Sequence, residues 1–307
     1  MMTRRRRLHQ RVSWRDPGPP VRPRKTGALA CRVLGTGGAP VLLVHGLLGS
    51  SRFWGADYDT LASDGRLIVV DLLGFGASPR PDGPYDLDAH VDALLATLDE
   101  HGVSAAVTVG AHSLGCVLAL GLATRAPDRV AGIVMFGPPL YTSTTQARKR
   151  IGALGGFARL LAFDTPLAER VCGWMCNHRA LAARLTVLLH PDLPPAVARD
   201  GVQHNWVSYS GTMRNVILTI NSAILARDAL TAMRGIDSVG AQHPDVALRI
   251  ITGDQDRVSD PAVLEELGTD PAVRVEHWPG GHDLPLRNPQ RCLQAITAMR
   301  HSATRAP

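Results

Sequence analysis

Residues 107–115 read VTVGAHSLG, an apolar run that leads directly into a serine. The run has the composition of a buried strand, and the Leu- and Ala-rich residues 114–125 after it have the composition of a helix. A serine on a tight turn between a strand and a helix stands clear of the sheet edge, where helix N–H groups favour a developing negative charge. The stretch therefore predicts a strand–turn–helix unit that presents Ser113 as a nucleophile, with an N-capping serine as the alternative interpretation.

The rest of the chain predicts the sheet to which this unit belongs. From about residue 27 onward, short apolar runs alternate with segments of helical periodicity, a pattern typical of parallel strands joined by crossover helices. The fold class is therefore α/β, with a mostly parallel central sheet and helices on both of its faces. The expected strands cover 30–34, 41–45, 67–71, 105–109, 133–136, 248–252 and 273–278, and the expected helices include 87–98, 114–125 and 289–301.

Two segments depart from this alternation. Residues 141–240 are mainly helical in pattern, so we expect them to form an inserted lid, with residues 27–140 and 241–307 as the core. Residues 1–26 form a basic arm that is rich in Arg and Pro and poor in large apolar side chains. Such a segment cannot bury enough apolar surface to fold on its own, so we expect it to be disordered or draped over the surface.

The net charge of the chain comes from this arm. Residues 1–25 hold eight Arg, one Lys and a single acid, a sum of +8 against +6 for the whole chain, which leaves −2 for the body. A nearly neutral body disfavours nucleic acid as a partner, whereas the arm allows a weak contact with an anionic surface. The chain has no apolar run near the ~18 residues of a membrane span and no apolar stretch of a secretory signal near its start, so we expect a cytoplasmic protein without a transmembrane segment.

Five cysteines form an odd, scattered set, which indicates reduced thiols rather than a disulfide framework. Cys172 and Cys176 would share one face of a helix and could supply half of a metal site. No second Cys/His cluster accompanies them and His178 has the wrong helical phase, so we interpret the pair as buried small residues and expect no metal. Nor does the sequence contain a phosphate-binding loop, so no organic cofactor is expected.

Two further motifs follow the ends of predicted strands: HGLLGSSRFW at 45–54 and DLLGFGAS at 71–78. With the turn at Ser113, they resemble the motifs of the α/β-hydrolase superfamily, in the branch of esterases and C–C bond hydrolases that carry a helical lid. The resemblance covers about residues 27–140 and 245–300. One departure is Ala111, because the family pattern G-x-S-x-G has glycine there. The resemblance implies that the backbone amides of Leu47 and Leu114 form an oxyanion hole.

A serine nucleophile needs a base, and a carboxylate that orients a histidine base makes it more effective. Residues 249–257 read RIITGDQDR, an apolar strand followed by two acids, and residues 279–285 read PGGHDLP, with a histidine after the last strand. These residues alone leave Asp254 and Asp256 open. The family pattern implies Asp256 as the acid and His282 as the base, and Gly137 occupies the earlier position at which some relatives carry the acid.

Aromatic and polar residues of the 141–240 segment are candidates for a substrate pocket, with packing of the lid against the core as the alternative. The aromatic candidates are Trp174, Trp206 and Tyr209, together with Phe157 and Phe163, and the polar candidates are His204, Asn205, Ser208 and Asn221. His45 and His112 lie inside motifs, but a triad uses one histidine, so we expect them to pack around the site.

These patterns predict a serine hydrolase that cleaves a carboxylic ester or a related acyl bond of a small-molecule substrate through an acyl-enzyme on Ser113. Two alternatives use the same fold: cleavage of a C–C bond next to a ketone, as in relatives that act on ring-cleavage products, and a non-catalytic receptor. Haloalkane dehalogenase and epoxide hydrolase activities are disfavoured, because those relatives carry an aspartate where this chain has Ser113.

Overall fold

The computed structural model describes residues 14–153, 165–237 and 246–304. Within these ranges seven strands form one sheet in the order β1-β3-β2-β4-β5-β6-β7, in which β1 is antiparallel to β3 and the other neighbours are parallel. The predicted α/β fold class is confirmed, and every expected strand is present. The strands are β1 (Cys31–Gly38), β2 (Val41–Val44), β3 (Gly65–Val70), β4 (Val107–His112), β5 (Val130–Phe136), β6 (Leu248–Gly253) and β7 (Val273–Trp278).

Helices cover both faces of this sheet, and their ends follow local sequence signals. Asp86 accepts a hydrogen bond from the Ala89 amide at 2.9 Å and so caps the first helix, as its position before an apolar periodic segment predicts. The described helices are α1 (Leu87–Glu100), α2 (Leu114–Arg125), α3 (Thr144–Gly152), α4 (Pro166–Asn177), α5 (Arg179–Leu189), α6 (Pro195–Asp200), α7 (Trp206–Thr212), α8 (Ser222–Asp237), α9 (Pro261–Leu267), α10 (Leu284–Arg287) and α11 (Pro289–Thr304).

The core lies in two layers, one on each face of the sheet. Side chains alternate along a strand, so in β2 Leu42 and Val44 enter one apolar cluster while Val41 and Leu43 enter the other. All four are fully buried. This double burial explains why the strands read as continuous apolar runs rather than as alternating ones.

Parallel pairing brings the loops that carry the motifs to one edge of the sheet. Val44 at the end of β2 lies in register with Val70 of β3 and with Ala111 of β4, and Phe136 of β5 pairs with Ile251 of β6. The segments that begin after these residues therefore start side by side. In a parallel sheet this carboxyl edge is where ligands bind.

Between β5 and β6 the regular elements that the structure describes are all helices, from α3 to α8, joined by short loops. Thr165 caps α4 and Asn205 forms a capping box with Ser208 at the start of α7, while α8 packs against α2. Among the described helices none is by itself long and apolar enough to span a membrane. One pair bent by 72°, Trp206–Ile217 and Ser222–Gly235, has the length and composition to do so.

The N-terminal segment is described in part. Residues 1–13 of the predicted arm (1–26) lie outside the described residues, and residues 14–26 lie over the surface of the body. The Trp14 indole donates to the Arg52 carbonyl at 3.1 Å, and both amides of Arg24 and Lys25 donate to the Glu100 carboxylate. Backbone amides, the Trp14 indole and the ion pairs Arg15–Asp57 and Asp16–Arg52 hold this segment against the body.

Candidate active site

Ser113 lies at the junction of β4 and α2 with a φ of 51° and a ψ of −121°. A positive φ is strained for a residue that has a Cβ, and it persists only where the surroundings hold it. Here the Ser113 amide donates to the Phe136 carbonyl of β5 at 3.0 Å. Close packing adds to this constraint, since a methyl group on Gly115 would lie 2.6 Å from the Val44 carbonyl oxygen. The result is a rigid turn on which Ser113 is partly exposed between buried neighbours.

Asp256 and His282, which are 26 residues apart, form a hydrogen-bonded pair. His282 Nδ1 lies 3.0 Å from Asp256 Oδ2, the Asp256 side chain is fully buried, and the His282 side chain is 30% exposed. Burial by itself would raise the pKa of Asp256, but the hydrogen bond from His282, the charge of that ring and the Val258 amide outweigh it and lower the pKa. The carboxylate therefore stays ionised at neutral pH and accepts the Nδ1–H of the histidine.

The neighbouring acid has a different role in the loop. Asp254 is exposed, and its Oδ1 accepts the Gly280 amide at 2.9 Å, so this carboxylate ties the loop after β6 to the loop after β7. Asp256 lies under the same loop and accepts the Val258 amide at 2.8 Å through its other oxygen. The sequence pattern left both acids open as candidates. In the structure, Asp256 is the one that lies within hydrogen-bond distance of His282.

Gly137 explains why this pair fits at the sheet edge. A methyl group built on Gly137 would lie 2.8 Å from Asp256 Oδ2 and 2.8 Å from His282 Nδ1. Its φ of +57° is also one that glycine adopts readily. The end of β5 therefore has to carry glycine if the acid comes from the loop after β6.

The loop after β2 lies directly against Ser113. A methyl on Gly46 would lie 3.0 Å from Ser113 Cβ and 2.9 Å from His112 Nδ1, and Leu47 follows in a turn closed by a hydrogen bond from the Gly49 amide to the Gly46 carbonyl. Leu114 is the first residue of α2, so its amide has no acceptor within the helix. The two segments that carry the expected oxyanion amides thus meet at the serine.

Two acids that the sequence reasoning did not single out hold this loop in place. Asp71, which follows β3, is 1% exposed and accepts the Ser51 amide at 2.6 Å and the Ala77 amide at 2.7 Å. Asp200, at the end of α6, accepts the Ser50 hydroxyl at 2.7 Å. Asp71 could have been found as the first residue of the DLLGFGAS motif, whereas no local signal points to Asp200.

His45 and His112 pack around the site as expected. His45 is fully buried, with Nδ1 2.7 Å from the Gly46 carbonyl and Nε2 2.9 Å from the Leu72 amide. His112 donates from Nε2 to the His282 carbonyl at 3.0 Å, and its ring stacks on Phe53. Burial, reinforced by the charge of His282, lowers the pKa of His112 to about 3, so this ring is neutral and holds the His282 backbone.

The predicted pocket residues lie in three different environments. Trp174 is 44% exposed and stacks on His178, Trp206 is half-buried against the main core cluster, and Tyr209 is 3% exposed within it. Phe157 and Phe163 lie outside the described residues.

Polar residues that were candidates for substrate contacts serve local structure instead. Asn205 and Ser208 cap α7, and Asn221 accepts the Ile224 amide while it donates to the Thr142 carbonyl. His204 is 3% exposed and lies beside Cys172, a contact that the interpretation of Cys172 and Cys176 as a pair without an accompanying histidine did not anticipate.

Together these groups can support nucleophilic chemistry. The strained turn presents a hydroxyl, and the Asp256 carboxylate fixes the His282 tautomer in which the Nε2 lone pair remains available. Backbone amides at the Gly46–Leu47 loop and at the start of α2 can donate to a developing oxyanion. Each of these groups follows a strand of the same sheet, so their relative positions depend on buried backbone rather than on surface loops.

Comparison with known sequences supports this assignment of the fold. A family model described as the alpha/beta hydrolase fold matches residues 39–169. BODYGUARD 4 of Arabidopsis thaliana, named a "probable lysophospholipase", is 32% identical over 152 residues, which is 46% of this chain and 36% of that protein. Lipase LipV of Mycobacterium tuberculosis is 36% identical over 119 residues, 39% of this chain and 44% of the lipase. In both cases less than half of the relative is matched.

Solved structures match over most of the chain at low sequence identity. E-2-(acetamidomethylene)succinate hydrolase is 20% identical, with a TM-score of 0.65 over 88% of this chain and 94% of that one. A thermophilic esterase from Thermogutta terrifontis is 23% identical, with a TM-score of 0.60 over 90% of this chain and 93% of that one. At such identity the likeness establishes the fold, and the chemistry has to be argued from the residues themselves.

Proposed function

We propose that this chain, which has the α/β-hydrolase fold, is a serine hydrolase that cleaves carboxylic esters or related acyl bonds. The observation that carries the proposal is the hydrogen bond between His282 and a buried, ionised Asp256 next to the strained turn at Ser113. A buried charge is costly unless it is used or paired, and this one orients a histidine that is partly exposed at the sheet edge.

In the proposed reaction, His282 Nε2 takes the proton of the Ser113 hydroxyl while Oγ attacks the carbonyl carbon. The carbonyl oxygen becomes an oxyanion, to which the Leu47 and Leu114 amides donate, and each such donor typically contributes about 10²–10³ in rate. The tetrahedral intermediate collapses, the C–O bond to the leaving alcohol breaks, and His282 returns the proton to that alcohol. Water then repeats the sequence on the acyl-enzyme and releases the acid.

For the substrate class we favour esters with an apolar acyl chain. The curated relatives named above are a lipase and a probable lysophospholipase, and both names refer to acyl esters. The inserted helices carry most of the large apolar side chains that are exposed among the described residues, so apolar surface is available near the core.

The test is a fluorophosphonate probe that labels activated serines, applied to the full chain and to the Ser113→Ala variant. We expect rapid labelling of the wild type, loss of labelling in Ser113→Ala, and unchanged labelling in a control, Ser63→Ala, which removes an exposed serine far from the turn in sequence. Absence of labelling in the wild type would favour a receptor on the same fold and contradict the proposal.

A substrate panel then separates the bond types. We expect p-nitrophenyl esters of graded chain length to be hydrolysed, with lysophosphatidylcholine included as an acyl ester of the kind that the relatives' names suggest. A vinylogous diketone acid tests the C–C alternative on the same enzyme. Turnover of the diketone in the absence of ester turnover would replace the ester proposal with the C–C bond reaction.

A further inference from the structure

Three potential metal ligands meet on the inserted helices, away from the serine turn in sequence. Cys172 and Cys176 lie one turn apart on α4, and His204 lies in the loop between α6 and α7. The Cys172 and Cys176 sulfurs are 3.9 Å apart, and Cys172 Sγ is 3.5 Å from His204 Nε2. All three ligand atoms lie within 4.8 Å of one another.

Two of these separations match those that a tetrahedral zinc ion imposes on its ligands. With Zn–S bonds of about 2.3 Å and Zn–N bonds of about 2.0–2.1 Å, tetrahedral angles place two sulfurs about 3.8 Å apart and a sulfur and a nitrogen about 3.5 Å apart. The observed 3.9 Å and 3.5 Å are close to both values. The remaining pair, Cys176 Sγ and His204 Nε2, lies within 4.8 Å. Cys176 Sγ also donates to the His204 carbonyl at 3.2 Å, a hydrogen bond that a bond to the metal would replace.

The histidine is held in the orientation that metal ligation needs. His204 Nδ1 lies 3.1 Å from the Gly201 carbonyl, to which it can only donate, so its Nε2 carries the lone pair that faces Cys172. Metal-bound histidines almost always donate their second ring nitrogen to a carbonyl or carboxylate in this way. His204 and Cys172 are buried, so the ring cannot turn freely toward solvent.

Two guanidinium groups lie beside the ligand cluster. The Arg179 guanidinium donates to the His204 carbonyl at 2.8 Å, and Arg80 donates to the Gln203 carbonyl at 2.7 Å. Two thiolates neutralise the charge of a divalent ion, so the bound centre does not repel the two guanidinium groups.

We propose that Cys172, Cys176 and His204 bind a zinc ion that joins helix α4 to the 201–205 loop. Soft sulfur ligands with one imidazole select zinc over magnesium or calcium. The same loop begins beside Asp200, which accepts the Ser50 hydroxyl of the loop after β2, so the ion fixes an inserted helix to a segment that contacts the candidate active site. Three protein ligands leave the fourth tetrahedral position to a water molecule, and the ion's role here is to join the helix to the loop. The proposal does not depend on the proposed hydrolase activity.

The experiment measures zinc per chain in the full-length protein, isolated under reducing conditions and dialysed against Zn²⁺ and then against buffer. We expect about one zinc per chain for the wild type and less than about a tenth of that for Cys172→Ser, Cys176→Ser and His204→Asn. Co²⁺ in place of Zn²⁺ should give the charge-transfer absorption of cobalt–thiolate bonds in the wild type alone. Cys176 is only partly buried, so Cys176→Ser provides a variant that keeps the fold if the other two do not.

Two controls make the result specific. Cys31 also lies near a histidine, with its sulfur 3.1 Å from His101 Nε2, but it has no second thiol beside it among the described residues, so Cys31→Ser should keep its zinc. Ser113→Ala should keep its zinc as well and lose only hydrolysis. The proposal is overturned by a wild-type chain that holds no zinc or by zinc that survives in Cys176→Ser.

Discussion

The edge of the sheet and the inserted helices hold their side chains by different means. At the sheet edge, Ser113 is fixed by the β5 carbonyl to which its amide donates, and Asp256 is fully buried with both carboxylate oxygens occupied. On the inserted helices, Trp174 is 44% exposed and Leu188 is 75% exposed. The candidate catalytic side chains therefore lie where backbone hydrogen bonds fix their positions, whereas the inserted helices carry solvent-exposed apolar side chains. Substitutions at the sheet edge should therefore change activity far more than substitutions on the exposed helices.

The largest effect is expected at the strained turn. Ser113→Ala should lower kcat on the best ester by about 10⁵–10⁶, because nucleophile and base act as one unit. Its melting temperature should be equal to or higher than that of the wild type, since the substitution removes no buried contact. The measurement is ester turnover with a thermal melt. Retention of more than a few per cent of activity would remove Ser113 from the chemistry.

The two acids of one loop give the next largest contrast. Asp256→Asn should lower kcat by about 10⁴, because the amide would hold the imidazole in the wrong tautomer. Asp254→Asn should lower it about tenfold at most, since the Asp254 carboxylate accepts the Gly280 amide and, among the described residues, makes no hydrogen bond to His282. Both variants are measured on one ester at pH 8, and the reverse ranking would move the acid to Asp254.

A methyl group at the end of β5 tests the geometry without removing any functional group. Gly137→Ala should lower kcat by about 10², because the added carbon would displace Asp256 and His282, and a displacement of about 1 Å costs that much. Gly83→Ala is the matched control, since a methyl there meets no atom within 4 Å. Equal activity of the two variants would show that the site tolerates displacement of the pair.

The junction between the core and the insertion should respond to acid. His90 of α1 is buried, and its Nε2 lies 3.1 Å from the Thr212 hydroxyl of α7. Burial lowers the pKa of His90 to about 4, although Asp86 opposes the shift, so the unfolded chain takes up this proton first as the pH falls. Stability is therefore lost between about pH 6.5 and pH 4, by about 1.4 kcal/mol per pH unit from this group. The free energy of unfolding, measured with urea at pH 7, 6 and 5, should fall less steeply for His90→Gln than for the wild type. Parallel pH dependences of the two proteins would contradict the prediction.

The smallest effect is expected on the exposed part of the insertion. Trp174→Ala should change kcat/KM by less than about threefold, or about 0.6 kcal/mol, because an exposed side chain outside the sheet edge supplies no group to the proposed chemistry. Trp174 stacks on His178 at the surface, and the fold does not depend on that contact. A tenfold loss of kcat/KM with an unchanged melting temperature would instead identify Trp174 as a substrate contact. The inserted helices would then contribute to the site together with the sheet edge.

The sequence predicts the sheet edge better than the insertion, for a physical reason. Parallel strands that are buried on both faces read as apolar runs, and the turn at Ser113 demands small neighbours, so local patterns suffice there. Asp256 and His282 could be predicted because both lie in loops that follow strands and because the family pattern selects them among the neighbouring acids and histidines. The approach of His204 to Cys172 was not, since it depends on how a loop folds back over a helix 32 residues away.

The space at Gly137 also constrains how this protein can evolve. Some related hydrolases carry the acid at the end of the strand that Gly137 terminates, and in this chain a side chain there would collide with both Asp256 and His282. An aspartate at 137 would therefore disrupt the existing pair before it could replace Asp256. A transfer of the acid to position 137 would therefore need a change at Asp256 as well as at Gly137.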